Sequence, residues 1–170
     1  MTSDHPLVPG DRVGESRRVV VFACGDPLRG DDSVASIACK SLPPQTLARA
    51  DVKLIGALEP EYLRDLPAGV RVVIVDAVVG PPAGEIVEMD LAEMSGRAET
   101  VVPTSTHQLP LDQVVALAQL LRDEPVVGRF VGVGIDAVAI GEEPRSSVAD
   151  AVPALRDAVA RAVAELDPHG

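Results

Sequence analysis

Acidic side chains stand where apolar strands give way to loops: Asp26 and the Asp31-Asp32 pair follow Val19 to Cys24, and Asp76 follows Val70 to Val75. A single imidazole away from the termini, His107, lies in Ser105-Thr106-His107-Gln108-Leu109-Pro110, whereas His5 and His169 belong to the end segments. Two carboxylates, Asp32 and Asp76, and one imidazole arriving from separate loops would make an open oxygen-and-nitrogen donor set suited to Zn, Ni, Mn or Fe, without choosing among them. Each group also has a simpler explanation. One aspartate of the pair would cap a helix, Asp76 would accept from loop amides as Asp commonly does in turns, and His107 would cap a helix or sit on the surface.

Two other chemistries compete for these residues. The spacing of Gly25 and Gly30 in Gly25-Asp26-Pro27-Leu28-Arg29-Gly30-Asp31-Asp32 matches the glycine frame of a phosphate loop. The Lys and Ser/Thr that should follow are replaced by two carboxylates, which repel phosphate, and no Gly-x-Gly-x-x-Gly follows the first strand. A nucleophilic Cys24–His107 pair is the second; a cysteine closing an apolar strand is more often a small core residue.

The elements that must position these groups follow from periodicity. Val19 to Cys24 is a continuous β-branched apolar run, the pattern of a strand covered on both faces, and Val70 to Val75, broken by Arg71, is the strongest strand in the sequence. Val34, Ile37, Ala38 and Leu42 recur at helical spacing after Asp32, with Asp31-Asp32 as the N-terminal cap. Val52 to Ile55 reads as a second strand and Glu59 to Leu66 as a short helix opened by Pro60. Glu85 to Met89 is an edge strand, followed by a long stretch without periodicity up to Pro110. Leu111, Val114, Val115, Ala118 and Leu121 form a helical stripe, Phe130 to Ala137 a strand, and Val148, Val152, Leu155, Val159, Val163 and Leu166 a final amphipathic helix. Strands alternating with helices predict a single-domain α/β fold: a doubly wound, mostly parallel twisted sheet of about five strands with helices on both faces. Ligands of such sheets bind beyond the carboxyl ends of the strands, where Asp26, Asp32 and Asp76 emerge.

Composition narrows the function classes. At 170 residues, 46% hydrophobic and 24% charged, the chain fits one folded domain, Arg17 to Asp167, behind a flexible leader, Met1 to Ser16. A net charge of -11 with only one Tyr, two Phe and no Trp disfavours nucleic acid, which needs cations and stacking rings. No apolar run is long enough to span a bilayer and the leader lacks a secretion signal, so no membrane insertion is expected. The two cysteines, Cys24 and Cys39, in apolar surroundings fit a reducing cytoplasm.

Four motifs in order carry a resemblance: Gly25-Asp26-x-Leu28-x-x-Asp31-Asp32 after the first strand, Glu59-Pro60-Glu61 after the second, Val75-Asp76-Ala77 at the third, and Ser105-x-His107-Gln108. The chain resembles, from about Arg18 to Leu166, the hydrogenase maturation endopeptidases, which remove a C-terminal peptide from the large subunit of [NiFe] hydrogenases once nickel has been inserted. The resemblance implies that Asp32, Asp76 and His107 are the catalytic, metal-contacting triad, with Gly25, Asp26, Asp31 and Gln108 in support and Asp31 orienting its neighbour. It further implies a large-subunit precursor as partner and nickel presented by that substrate, the site being open to other divalent metals.

The family usually has Gly-x-Gly-Asn where this chain has Ala23-Cys24-Gly25-Asp26, and Asp-Asp-Gly-x-Gly where this chain runs on from Asp32 into Ser33-Val34-Ala35. Loss of the helix-start glycines is expected to reshape the approach for substrate backbone. Two non-protease alternatives stay open here: a metal-binding or partner-recognition module on the same fold, and a small-ligand domain using the Gly25 to Gly30 loop.

Overall fold

A computed structural model describes residues 19–94, 109–136 and 143–168. Its sheet has five strands, β1 (Val19–Ala23), β2 (Ala50–Leu54), β3 (Arg71–Val79), β4 (Ile86–Asp90) and β5 (Gly128–Ile135), in the order β2-β1-β3-β5-β4. All neighbours are parallel except β4, which runs antiparallel on β5 at the edge. The helices are α1 (Val34–Lys40), α2 (Pro44–Arg49), α3 (Pro60–Arg64), α4 (Leu91–Met94), α5 (Leu111–Leu120) and α6 (Ser146–Leu166), and a 3-10 turn, Gly30–Ser33, precedes α1. None of the described helices is long and apolar enough to cross a membrane.

Strand alternation divides the interior into two cores. Val19, Val21 and Ala23 of β1, with Val73, Val75 and Ala77 of β3, pack under α1 and α6. Val20 and Phe22, with Val72, Ile74 and Val78, face Leu63 of α3, Leu91 and Met94 of α4 and the α5 stripe. This is the expected doubly wound arrangement. From β1 the chain moves outward to β2 under one face, then returns beneath the other to β3 on the opposite side of β1. The strand order therefore reverses between β1 and β3, which is where such sheets open a crevice.

Several local expectations change. Strand β3 does not stop at Val75: it continues to Val79, with β1 paired only as far as Val75 and β5 paired through Val79. Asp76 is thus the first β3 residue beyond the end of β1, held in the sheet on one side and uncovered on the other. Helices α2 and α4 were not foreseen, because Thr46 is the only buried residue of α2 and α4 has a single turn. Ile37 and Leu121 fall at helical spacing but are 41% and 54% exposed, and Ala151, Ala158 and Ala162 complete the buried face of α6. Asp31 and Asp32 do not cap α1, which begins two residues later; they lie inside the 3-10 turn.

Candidate active site

The loop leaving β1 is built around a close approach. Gly25 has φ +114°, and a Cβ there would stand 2.0 Å from the Asp32 carbonyl oxygen, so only glycine lets the two ends of the loop touch. Closure brings the Asp26 N–H to Asp32 Oδ2 at 2.9 Å. Asp26 in turn accepts the Leu28 N–H through Oδ1 at 2.9 Å, an Asx turn, and lies 3.5 Å from Arg29 through Oδ2. The Asx turn is open equally to the Asn usual at this position in the resembled family, whereas the ion pair with Arg29 requires the carboxylate.

Asp31, next to Asp32, points elsewhere. Its carboxylate is 3% exposed and accepts the backbone N–H of Arg145, the residue before α6, at 2.7 Å, with the Arg145 guanidinium 3.7 Å away. Arg145 also reaches Asp136 at the end of β5, at 3.2 Å. Asp31 does not line the cavity at the sheet edge; it ties the 3-10 turn to the start of α6 and so fixes the backbone that carries Asp32. Nothing in the local sequence around Arg145 signals this partnership.

Asp32 and Asp76 meet at the switch point. Both line a cavity of about 500 Å3 together with Gly25, Asp26, Arg29, Ser36 and Lys40, and with the Leu54 to Ala57 stretch that leaves β2. Asp76 takes the place between Ile74 and Val78 on the α3–α5 face of β3, a position that strand alternation would give to a core residue. Burial pushes its carboxyl up to about 7, the nearby charge of Asp32 adds to the rise, and a hydrogen bond from the Ala77 N–H to Asp76 Oδ1, at 2.8 Å, opposes it.

Of the predicted residues, the structure brings together Asp32, Asp76, Gly25 and Asp26, and turns Asp31 away. His107 and Gln108 lie outside the described residues. Among the described residues no group of three His, Cys, Asp or Glu side chains comes together to hold a metal ion, so a third protein ligand would have to come from elsewhere.

Two competing chemistries lose their footing. A phosphate loop needs outward-pointing amides, but here the N–H groups of Gly25, Asp26, Leu28, Arg29 and Asp32 are all bonded, to Gly56 O, Asp32 Oδ2, Asp26 Oδ1, Asp26 O and Arg29 O. Cys24 is buried, and burial, then the charges of Asp76 and Asp32, raise its thiol well above the ordinary range, which disfavours the thiolate a nucleophile requires.

The departures from the family pattern also resolve in packing. Val34 and Ala35 are fully buried in the α1–α6 core, and the Ser33 hydroxyl donates to Gly30 O at 2.7 Å. None of the three lines the cavity. Sequence reasoning overlooked the residues that do: Ser36 and Lys40, four and eight positions after Asp32, and the wall from Leu54 to Ala57.

No protein-family model and no curated protein matches the sequence. Solved structures do match. The [NiFe] hydrogenase maturation protease HybD from Thermococcus kodakarensis superposes with a TM-score of 0.67 at 20% identity, covering 85% of this chain and 97% of that one. The fold is that of the hydrogenase maturation proteases. The hydrogenase maturating endopeptidase HybD from E. coli gives a TM-score of 0.69 at 20% identity over 87% of this chain and 93% of its own. A hydrogenase 2 maturation peptidase from a Thaumarchaeota archaeon gives 0.56 at 23% identity over 86% and 97%. The likeness extends across nearly the whole length of these proteases.

Proposed function

We propose that this chain is an endopeptidase that removes the C-terminal peptide of a [NiFe] hydrogenase large-subunit precursor after nickel insertion. The observation that carries the proposal is the convergence of Asp32, from the 3-10 turn after β1, and Asp76, from within β3, on one cavity at the switch point. Solved structures with this fold include a [NiFe] hydrogenase maturation protease and a hydrogenase maturating endopeptidase, which supports peptide hydrolysis among the reactions that two carboxylates can serve.

In this proposal Asp76 serves as the proton-transfer group. Burial raises the Asp76 carboxyl to about 7 in the metal-free protein, and a carboxyl beside the reacting bond can take a proton from attacking water and return it to the departing amine. Asp32, fixed by the Asp26 N–H, supplies the second negative oxygen pair facing the reacting bond. Nickel belongs to the substrate, held by it and brought into the cavity, where it would polarise the scissile carbonyl. Asp32, Asp76 and His107 are the residues that would meet it; oxygen and imidazole donors accept other divalent metals too.

The test is incubation of wild type and His107→Ala with a nickel-loaded large-subunit precursor, reading loss of the C-terminal peptide by intact mass. Cleavage by wild type alone supports both the protease and the His107 assignment. Wild type that leaves several such precursors intact while still binding metal would instead favour a non-catalytic recognition module.

A further inference from the structure

The cavity is longer than two carboxylates need. Asp32, Ser36 and Lys40 recur every four residues, so they line one side of the continuous 3-10 and α1 segment. Across from them runs the wall from Leu54 through Ile55 and Gly56 to Ala57. The two ends of this trough differ in charge. Asp26, Asp32 and Asp76 stand at the sheet, while Lys40 stands at the far end of α1. Arg29, the other cation of the lining, is committed to Asp26 at 3.5 Å. Among the described residues Lys40 has no ion-pair partner, in a chain whose net charge is -11.

A trough with an apolar wall along one side and a cation at the end remote from the carboxylates suits an extended polypeptide better than a compact ion. From Asp32 to Lys40 the helical rise amounts to roughly 12 Å. An extended chain, at about 3.3 Å per residue, covers that distance in roughly four residues. We propose that this trough seats the substrate chain and that Lys40 selects an acidic side chain about four residues from the bond that is cut. That the seated chain is a substrate rests on the proposed peptidase activity; the preference for an acidic extended peptide is a property of the trough itself.

The test therefore reads binding separately from cleavage. The 15N-labelled full chain is titrated at low ionic strength with three blocked hexapeptides of five alanines followed by Glu, Gln or Lys. The Glu peptide is expected to shift the amide signals of Ser36, Lys40 and Ile55 and to bind three- to tenfold more tightly than the Lys peptide, with Gln between. Lys40→Glu should reverse the order and Lys40→Gln should level it; Lys40 is exposed at the end of α1, so both variants keep the core. An unchanged order in Lys40→Glu, or shifts confined to other regions, would overturn the proposal. Acidic preference in a protein that cleaves no nickel-loaded precursor would keep the trough assignment and remove the peptidase.

Discussion

Asp32 and Asp76 share a cavity but are held in opposite ways. Asp32 depends on its loop: a glycine at positive φ, a backbone contact that no Cβ could tolerate, an amide from Asp26, and a neighbouring aspartate latched to α6. Asp76 depends on the sheet. It sits in the middle of a nine-residue strand, paired to β5 on one side and left open by the end of β1 on the other. The first carboxylate is placed by local backbone geometry, with its negative charge served by an amide. The second is placed by sheet register, and burial raises its pKa. One site thus joins a loop-built group held by an amide and a sheet-built group raised by burial, two environments in which two carboxylates can take different roles.

The loop half should break most sharply at Gly25. Gly25→Ala forces a strained φ and a backbone collision at Asp32, and is expected to cost roughly 3 kcal/mol or more in a chemical-denaturation series and to abolish precursor cleavage. The sheet half should respond to pH. With a folded-state value near 7 against an ordinary carboxyl value of 3.8, the Asp76 proton contributes stability that is complete below about pH 4 and lost as pH rises through about 7. Asp76→Asn keeps an acceptor for the Ala77 N–H and escapes that loss. It should be more stable than wild type by roughly 2–4 kcal/mol at pH 8, match it at pH 4, and fail to cleave.

Smaller effects should separate the halves further. Asp31→Ala removes the acceptor of the Arg145 N–H and is expected to cost about 1–3 kcal/mol, with a fall in cleavage that follows the displaced Asp32 backbone. Cys24→Ser, on the same face as Asp76, should cost about 1 kcal/mol and leave cleavage unchanged within about twofold; loss of cleavage in a folded protein would restore the nucleophilic cysteine.

The same contrast explains what could be read from the residues. Apolar, β-branched runs declared β1 and β3, because burial on both faces writes itself into composition, and strands alternating with helices declared a doubly wound, mostly parallel sheet without its order. Asp76 was visible as an ionisable residue attached to the strongest apolar run. Its placement inside the strand was not, since an Asp after five apolar residues looks like a turn and only the pairing with β5 carries the ladder onward. The loop half was legible as a motif and illegible as a mechanism: that Gly25 touches the Asp32 carbonyl, and that Asp31 serves Arg145 rather than the cavity, are contacts with no sequence period. Helix α2 escaped notice for the related reason that a segment burying one threonine has no stripe to detect.

The convergence of the two carboxylates is tested most directly by a 13C NMR titration of the Asp76 side-chain carboxyl in wild type and in Asp32→Asn. The account predicts titration near 7 in wild type and a lower midpoint in Asp32→Asn, still above the ordinary carboxylate range because burial is the larger cause. A midpoint near 4 in both proteins would mean that Asp76 stands in water away from Asp32, and the shared site would be contradicted.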